Sequence, residues 1–347
     1  MNKKYVINGR FLSRKQTSVD RFAYELINEL DKISEPNIFE LAVPRNYLVK
    51  LELRNIKIVE VGHNKGNLWE QLDYCFYAIN NNRKTVNLCN TSPLFKPDIV
   101  TIFDTKIKDY PEFYNKFFVL WYKIQLSNSL KRADVIITDS YSAKKDILRN
   151  YPQTDESKVF VVYPSWQHIE RIKYDEEVLS KFNLQEKKYY FSLSSIEPNK
   201  NLKWILDAGK DNKDSIFVIA GKTDKIYNNN KNNPVISDNV KMIGYISDSE
   251  AKTLMKHCKS FIFPSFAEGF GLPPLESLSS GCNSLIVSDL PVMHEVFEDN
   301  AVFINPEKYK SGVIINKKID DLKRKNILSK YSWKKSAEYF YSILIEL

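Results

Sequence analysis

Two carboxylates eight positions apart, Glu268 and Glu276, bracket the stretch AEGFGLPPLE. Between them lie Gly269 and Gly271, which free the backbone for a tight turn and for close approach of a ligand. Pro273 and Pro274 follow, and both suit the first turn of a helix, where a missing N–H is not needed. A helix starting here presents unpaired N–H groups and the positive end of its dipole to the turn, a place for a phosphate or diphosphate. Carboxylates accept hydrogen bonds from hydroxyls, so acids on both sides suit a polyhydroxylated ligand with phosphates between. Glu276 is expected in the first helical turn. Two plainer roles compete: Glu276 as partner to its own helix dipole, worth under about 1 kcal/mol, and Glu268 as a solvated loop carboxylate.

The elements that must position these acids read as alternating strands and helices. KYYFSLSS (Lys188–Ser195), DSIFVIAGK (Asp214–Lys222), NVKMIGYI (Asn239–Ile246), KSFIFPS and NSLIVSD are strand-like. NLKWILDAGK, DSEAKTLMKHC and PPLESLSSG separate them as helices. That order predicts parallel βαβ units, with polar residues and glycines at strand C-terminal ends, where open α/β sheets bind ligands. The first half repeats the rhythm: KYVING, FELAVP, IKIVEV, TVNLCN, DIVTIFD, ADVIITDS and KVFVVY as strands. SVDRFAYELINELDKI is an amphipathic helix, and YSAKKDILRNY is a helix behind a serine cap. A boundary is expected at Val162 to Gln167, giving domains 1–165 and 166–325. A closing helix over 326–347 carries Trp333, Ala337, Phe340 and Leu344 on one stripe. That stripe fits a helix covering its own domain or one crossing back to the first. The asparagine-rich run at 228–233 is expected at a loop tip.

At 347 residues, 43% hydrophobic and 27% charged, the chain suits a globular protein of two domains. MNKKYVINGRF has no apolar run of signal-peptide length, and FFVLWY (Phe117–Tyr122) is too short to span a bilayer. Four cysteines without a CxxC pair argue against zinc or a disulfide framework and for a reducing, cytoplasmic compartment. Residues 1–165 hold 25 Lys and Arg against 19 Asp and Glu, so most of the net charge of +8 lies in the first half. A basic surface fits an anionic membrane face, nucleic acid, a phosphorylated substrate or plain solvation. Nucleic acid is unsupported, because no binding motif accompanies the charge. A nicotinamide dehydrogenase is unsupported too, because no G-x-G-x-x-G follows the first strand. The aromatic and basic segment YPEFYNKFFVLWYKIQLSNSLKR suits either a membrane-docking helix or a helix packed in the core, and the packed helix is the favoured reading.

The E-x7-E element of Glu268 and Glu276 within FPSFAEGFGLPPLES resembles that of the family 4 glycosyltransferases, which move sugars from nucleotide-sugar donors with retention at the anomeric carbon. SSIEPNKNL, MIGYISDSEAKTLMKHCKSFIFPS, SDLPVMHEVFEDNAVFINP and YSWKKSAEYF extend the resemblance. LWEQL, LCNTSPL and RADVIITDSYSAKKDI resemble a branch that builds bacterial surface polysaccharides. The resemblance implies the GT-B fold, two Rossmann-like α/β domains with parallel sheets facing across a cleft. It implies that Glu276 holds the donor ribose, and that Glu268 with the N–H groups of Phe270, Gly271 and Leu272 holds donor sugar and diphosphate. Lys200 would neutralise the diphosphate, and Ile246 would meet the base through its main chain. No Asp-x-Asp motif is present, and neither metal nor cofactor is expected.

The chain departs from the family pattern at several positions. Ser194 or Ser195 stands where relatives carry a phosphate-binding arginine, so their hydroxyls or Lys222 are expected to substitute. Thr17-Ser18-Val19-Asp20-Arg21 replaces T-G-V-x-R, Ser92 replaces a glycine, and Phe103-Asp104 replaces a His-Asp pair. Asp104 is then the carboxylate left to orient or deprotonate an acceptor hydroxyl, unless it only caps the turn after its strand. Ser18, Arg21 and Phe103 complete the expected acceptor side, with Arg21 facing phosphate. The resemblance implies a lipid-linked saccharide acceptor at the inner membrane face, in O-antigen or capsule synthesis. A nucleotide-sugar-binding partner subunit with little transfer activity is the alternative.

Overall fold

The computed structural model describes residues 3–193, 197–221, 236–312 and 317–346. It divides into two units, one of residues 1–164 with 332–347, the other of residues 165–331. Each unit carries its own parallel sheet.

In the first unit seven strands run β1 (Tyr5–Asn8), β2 (Phe39–Val43), β3 (Lys57–Glu60), β4 (Lys84–Asn87), β5 (Ile99–Thr101), β6 (Val135–Thr138) and β7 (Val159–Val161). Their order across the sheet is β3-β2-β1-β4-β5-β6-β7, all parallel. Runs such as VIIT in β6 are buried at every position, as a sheet covered on both faces demands. The helix Ser18–Ile33 starts in a capping box, with Thr17 and Asp20 each accepting from the other's backbone N–H. It lays Phe22, Leu26, Ile27 and Leu30 into the core. The final helix, Trp333–Glu346, packs on the same core: Phe22 and Trp333 meet edge to face at 5.9 Å. The Tyr5 hydroxyl donates to the Leu344 carbonyl at 2.6 Å, and Ser336 Oγ to that of Tyr163 at 2.6 Å.

The second unit holds β8 (Tyr189–Leu193), β9 (Ile216–Ala220), β10 (Val240–Gly244), β11 (Ser260–Phe263), β12 (Leu285–Ser288) and β13 (Val302–Ile304). Their order is β10-β9-β8-β11-β12-β13, again parallel. The chain therefore winds outward in one direction from β8 and in the other from β11. Strand β13 goes unrecognised in the sequence because VFI is only three residues long, below the length at which an apolar run separates strand from helix.

One expectation needs correction. The helix Lys116–Arg132 is packed in the core only along its C-terminal half, where Gln125, Leu126, Ser129 and Leu130 are buried. Its N-terminal half leaves Phe117, Phe118, Leu120 and Ile124 exposed. The unbroken run FFVLWY puts apolar groups all round the axis, so no stripe reveals which side is buried. Among the described residues, no helix is long and apolar enough to cross a membrane.

Candidate active site

The second unit brings Lys200 and Glu268 together where the sheet reverses direction. Lys200 follows β8 and Glu268 follows β11, and these are the adjacent strands from which the chain winds apart. Such a reversal opens a crevice beyond the strand C-termini in α/β sheets. Two asparagines zip the segments together. Asn199 is buried, donates to the Ala267 carbonyl at 2.9 Å and accepts from the Ala267 N–H at 3.1 Å. Asn201 donates to the carbonyls of Pro264 (3.0 Å) and Pro306 (2.8 Å) from a left-handed backbone, φ +52°, which asparagine tolerates better than most residues. The lysine between them aims its Nζ at Glu268 Oε1, 2.6 Å away, with the Phe263 ring 5.0 Å from the ammonium. Lys200 closes a short 3-10 turn, Pro198–Lys200, and the helix begins only at Leu202. That spacing eases the unfavourable interaction of a lysine with a helix N-terminus.

Beyond Glu268 the chain turns through Gly271, φ +91°, into the helix Leu272–Ser279. Phe270 and Leu272 are buried, and the Phe270 ring meets Tyr331 edge-on at 5.1 Å. A side chain at Gly271 would combine a left-handed backbone with a Cβ only 2.6 Å from Met293 Cε. Gly271→Ala is therefore expected to lower unfolding free energy by about 1–2 kcal/mol, the usual strain of that backbone for a residue with a Cβ. Urea melts of the two proteins measure it.

Glu276 is the fifth residue of its helix, past the first turn where it is expected from sequence. The reason is that the helix counts from Leu272, ahead of both prolines. Its carboxylate is spoken for by a group absent from any motif: His168 Nε2 stands 2.8 Å from Glu276 Oε1. The histidine side chain is 1% exposed and the glutamate 13%. His168 rides on the 3-10 turn Gln167–Arg171, which is anchored on several sides. Lys252 Nζ donates to the carbonyls of Ile169 (2.9 Å) and Ile172 (2.6 Å). Gln167 Nε2 donates to the Tyr331 carbonyl, and Trp166 Nε1 to that of Leu328. Nothing local in WQHIER marks the histidine, because its partner is 108 positions away.

Ile246 is buried just after β10, beside Gly244, whose φ is +70°, and an exposed Tyr245. Ser194, Ser195 and Lys222 lie outside the described residues, as does the asparagine-rich run. Among the described residues no group of three or more His, Cys, Asp or Glu side chains is placed to hold a metal ion.

The residues expected on the acceptor side lie in the first unit. Asp104 accepts from the Lys106 N–H at 3.2 Å and pairs with its Nζ at 3.2 Å, closing the turn after β5. Ser18 is the exposed first residue of its helix, with a half-buried Arg21 in the same turn. The Phe103 ring is buried edge-on against Phe22 at 5.0 Å, and its N–H donates to Asn90 Oδ1 at 2.9 Å. An aromatic ring gains more from that core contact than from water. Ser92 is likewise inward, sharing a hydrogen bond with Ser129 Oγ at 2.8 Å.

A polar cluster that sequence reasoning misses occupies the first sheet's own reversal, between β1 and β4. Glu70, buried at 1%, accepts from Asn8 Nδ2 and Thr91 Oγ1, both at 2.9 Å, and lies 3.4 Å from Arg10 Nε. Arg10 also donates to Thr91 Oγ1 at 2.8 Å. A cation held by a buried acid at a strand-end crevice can receive an anionic or hydroxylated ligand. The available signal was Glu70 itself, a charge between apolar residues in LWEQL.

Residues 175–338, which contain Lys200, Glu268 and Glu276, match the family described as glycosyl transferases group 1. The chain is 25% identical over 337 residues to the O-antigen chain mannosyltransferase RfbU of Salmonella typhimurium, covering 91% of each protein. It is 27% identical to O-antigen chain mannosyltransferase B of Escherichia coli, over 60% of this chain and 57% of that one. Among solved structures, sucrose-phosphate synthase from Thermosynechococcus elongatus superimposes with a TM-score of 0.73 at 11% identity, over 98% of both chains. Anabaena HepE, solved with UDP-glucose, gives 0.71 at 13% identity, over 99% of this chain and 100% of that one. The two parallel α/β sheets and these structural likenesses give the chain a GT-B fold, and its residues 175–338 match the group 1 glycosyl transferases.

Proposed function

We propose that the protein is a retaining, metal-independent hexosyltransferase, transferring mannose from a nucleoside diphosphate sugar to a lipid-linked saccharide in cell-surface polysaccharide synthesis. The single observation that carries the reading is the Lys200–Glu268 pair at the reversal of the second sheet, beside the glycine turn into the helix that bears Glu276. The choice of mannose and of an O-antigen type of product follows the relatives' names.

In this reading the C1–O bond of the donor breaks and the oxygen leaves with the diphosphate. The acceptor oxygen bonds to C1 on the same face, and its proton passes to the departing phosphate. Negative charge grows on the leaving group, and Lys200 with the N–H groups of Phe270, Gly271 and Leu272 stabilises it where it develops. Ser194, Ser195 and Lys222 add donors there. Glu276 receives the ribose hydroxyls, Ile246 meets the base through its main chain, and Glu268 holds the donor sugar once the diphosphate takes Lys200. Asp104 orients the acceptor hydroxyl, and Ser18, Arg21 and Phe103 complete the acceptor side. The enzyme would work at the cytoplasmic face of an anionic membrane.

A screen of nucleoside diphosphates by thermal shift, followed by product formation with each sugar, tests the proposal. A ligand at about a hundred times its Kd adds about 2.7 kcal/mol of stability, so the true nucleotide is expected to stand apart. Turnover is expected to survive EDTA. Tight nucleotide binding without product across donors and acceptors would instead assign the chain a binding-subunit role.

A further inference from the structure

Glu70 is an acid buried inside the first unit, and a buried ion pair by itself often adds little to stability. It lies in a π-helical stretch, Trp69–Tyr74, continuous with Gly66–Leu68 before it and Cys75–Asn80 after it. Such wide turns inside helices collect at functional sites. The surroundings of Glu70 are fixed. Asn8, which donates to it, also donates to Asn87 Oδ1 at 3.2 Å, across the reversal from β1 to β4. Gln71 Nε2 donates to the Ser92 carbonyl at 3.0 Å and its Oε1 accepts from the Leu94 N–H at 2.9 Å, which pins the loop after Thr91. Asp73 accepts from the N–H groups of His63 and Asn64 at 3.0 and 2.8 Å, which pins the chain that leads into the helical run.

What this framework presents to solvent is cationic. The Arg10 guanidinium has five N–H groups. Its Nε faces Glu70, and its terminal nitrogens donate to Asn67 Oδ1 and Thr91 Oγ1. Among the described residues two of its N–H groups then remain, on a side chain 17% exposed. Arg14 repeats the arrangement just past the 3-10 turn Arg10–Ser13. Its Nε and one terminal nitrogen donate to Asp20 at 3.1 and 2.5 Å, and its other N–H groups remain. The Arg14 side chain is 49% exposed and that of Asp20 not at all. Both acids are shielded, so a ligand that approaches meets N–H donors and neither carboxylate.

We propose that Arg10 and Arg14 form an anion subsite that takes a phosphate group borne by the acceptor, of the kind that joins a saccharide to a lipid. A phosphate only accepts hydrogen bonds, and a guanidinium fork fits its oxygens. A neutral sugar fits less well. Its hydroxyls donate as well as accept, and the nearby acceptors, Asn67 Oδ1 and Thr91 Oγ1, are already engaged by Arg10. Each guanidinium is held by its acid before any ligand arrives, so little side-chain freedom is lost on binding. The proposal rests on the reading of the first unit as the acceptor side, but its test needs no sugar transfer.

The test is titration calorimetry on the full chain carrying Lys200→Ala, which weakens phosphate binding in the second unit. The probes are glucosyl phosphate, inorganic phosphate and methyl glucoside. Glucosyl phosphate is expected to bind, more weakly as salt rises. Inorganic phosphate is expected to bind less tightly, and methyl glucoside not at all. Arg14→Gln, and separately Arg10→Gln with Glu70→Gln, are each expected to weaken glucosyl phosphate about tenfold or more. The paired change removes acid and cation together, so no buried charge is orphaned. Arg14 is half exposed, and both proteins are expected to melt with the parent. Affinity for glucosyl phosphate unchanged in both variants overturns the proposal, as does methyl glucoside or inorganic phosphate binding as tightly as glucosyl phosphate. In the chain with Lys200 intact, an equal loss of nucleoside diphosphate affinity in the same variants would assign the arginines to the donor and overturn it too. Nucleotide binding without glucosyl phosphate binding removes this subsite and leaves the donor reading; the reverse removes the donor reading and leaves the subsite.

Discussion

Lys200→Ala is expected to slow sugar transfer by about 10²–10³ in kcat, with the folding transition little changed. The ammonium is held rather than loose. Asn199 and Asn201 lock the backbone on either side, and Glu268 takes Nζ at 2.6 Å. A cation already in place needs no reorganisation when the leaving diphosphate gains charge, and that preorganisation makes it worth more in the transition state than in the ground state. Lys200→Arg keeps the charge but replaces a compact ammonium with a planar fork, so it is expected to recover only part of the rate. Glu268→Gln separates the two roles of the pair: it leaves the lysine in place without its ionic partner. Turnover at saturating donor, measured with circular dichroism melts alongside, decides the matter. If kcat is unchanged in Lys200→Ala, the lysine is a structural partner of Glu268 and nothing more.

His168→Phe is expected to raise KM for the donor about tenfold while kcat changes far less. The histidine is buried and touches no bulk solvent, so it acts through Glu276, whose carboxylate it holds at 2.8 Å. Removing it leaves a mostly buried carboxylate short of one partner, at a cost of about 1–3 kcal/mol, and frees the rotamer that would meet the ribose. His168→Gln can still donate a hydrogen bond from the same turn and is expected to restore much of the affinity. Glu276→Ala is expected to weaken donor binding at least as much. Adding His168→Phe to Glu276→Ala should then do little further, since the two residues form one unit. Equal losses in the double and single variants support a positioning role. Additive losses, or a fall in stability that tracks the loss of affinity, would make His168 a packing residue.

Much of the second unit was legible before any coordinates. Buried parallel strands announce themselves as short apolar runs, and IFVIA, SFIF and LIVS lie inside the segments read as strands. Glu268, the turn at Gly271 and the proline-led helix were equally plain, because each depends on neighbours within a few residues. Of the two glycines in that turn, Gly271 is the one with a positive backbone angle. Less was legible in the first unit. The Phe103 ring packs in the core with Phe22, a contact between distant positions that no local pattern announces.

What the sequence determined by itself is the local chemistry: parallel βαβ units, a glycine turn feeding a helix N-terminus, two acids beside it, and a basic first half. Tertiary structure alone decided which distant groups meet. The pairing of Lys200 with Glu268 across 68 positions and of His168 with Glu276 across 108 depends on which strands become neighbours and on how a turn is pinned against a helix. The same holds for Glu70 beside Arg10, and for the apolar side chains left outside on the helix Lys116–Arg132. Spacing along a chain encodes contacts within a helix turn or a strand pleat; contacts between elements arise only when the sheet closes and burial selects one face of each helix.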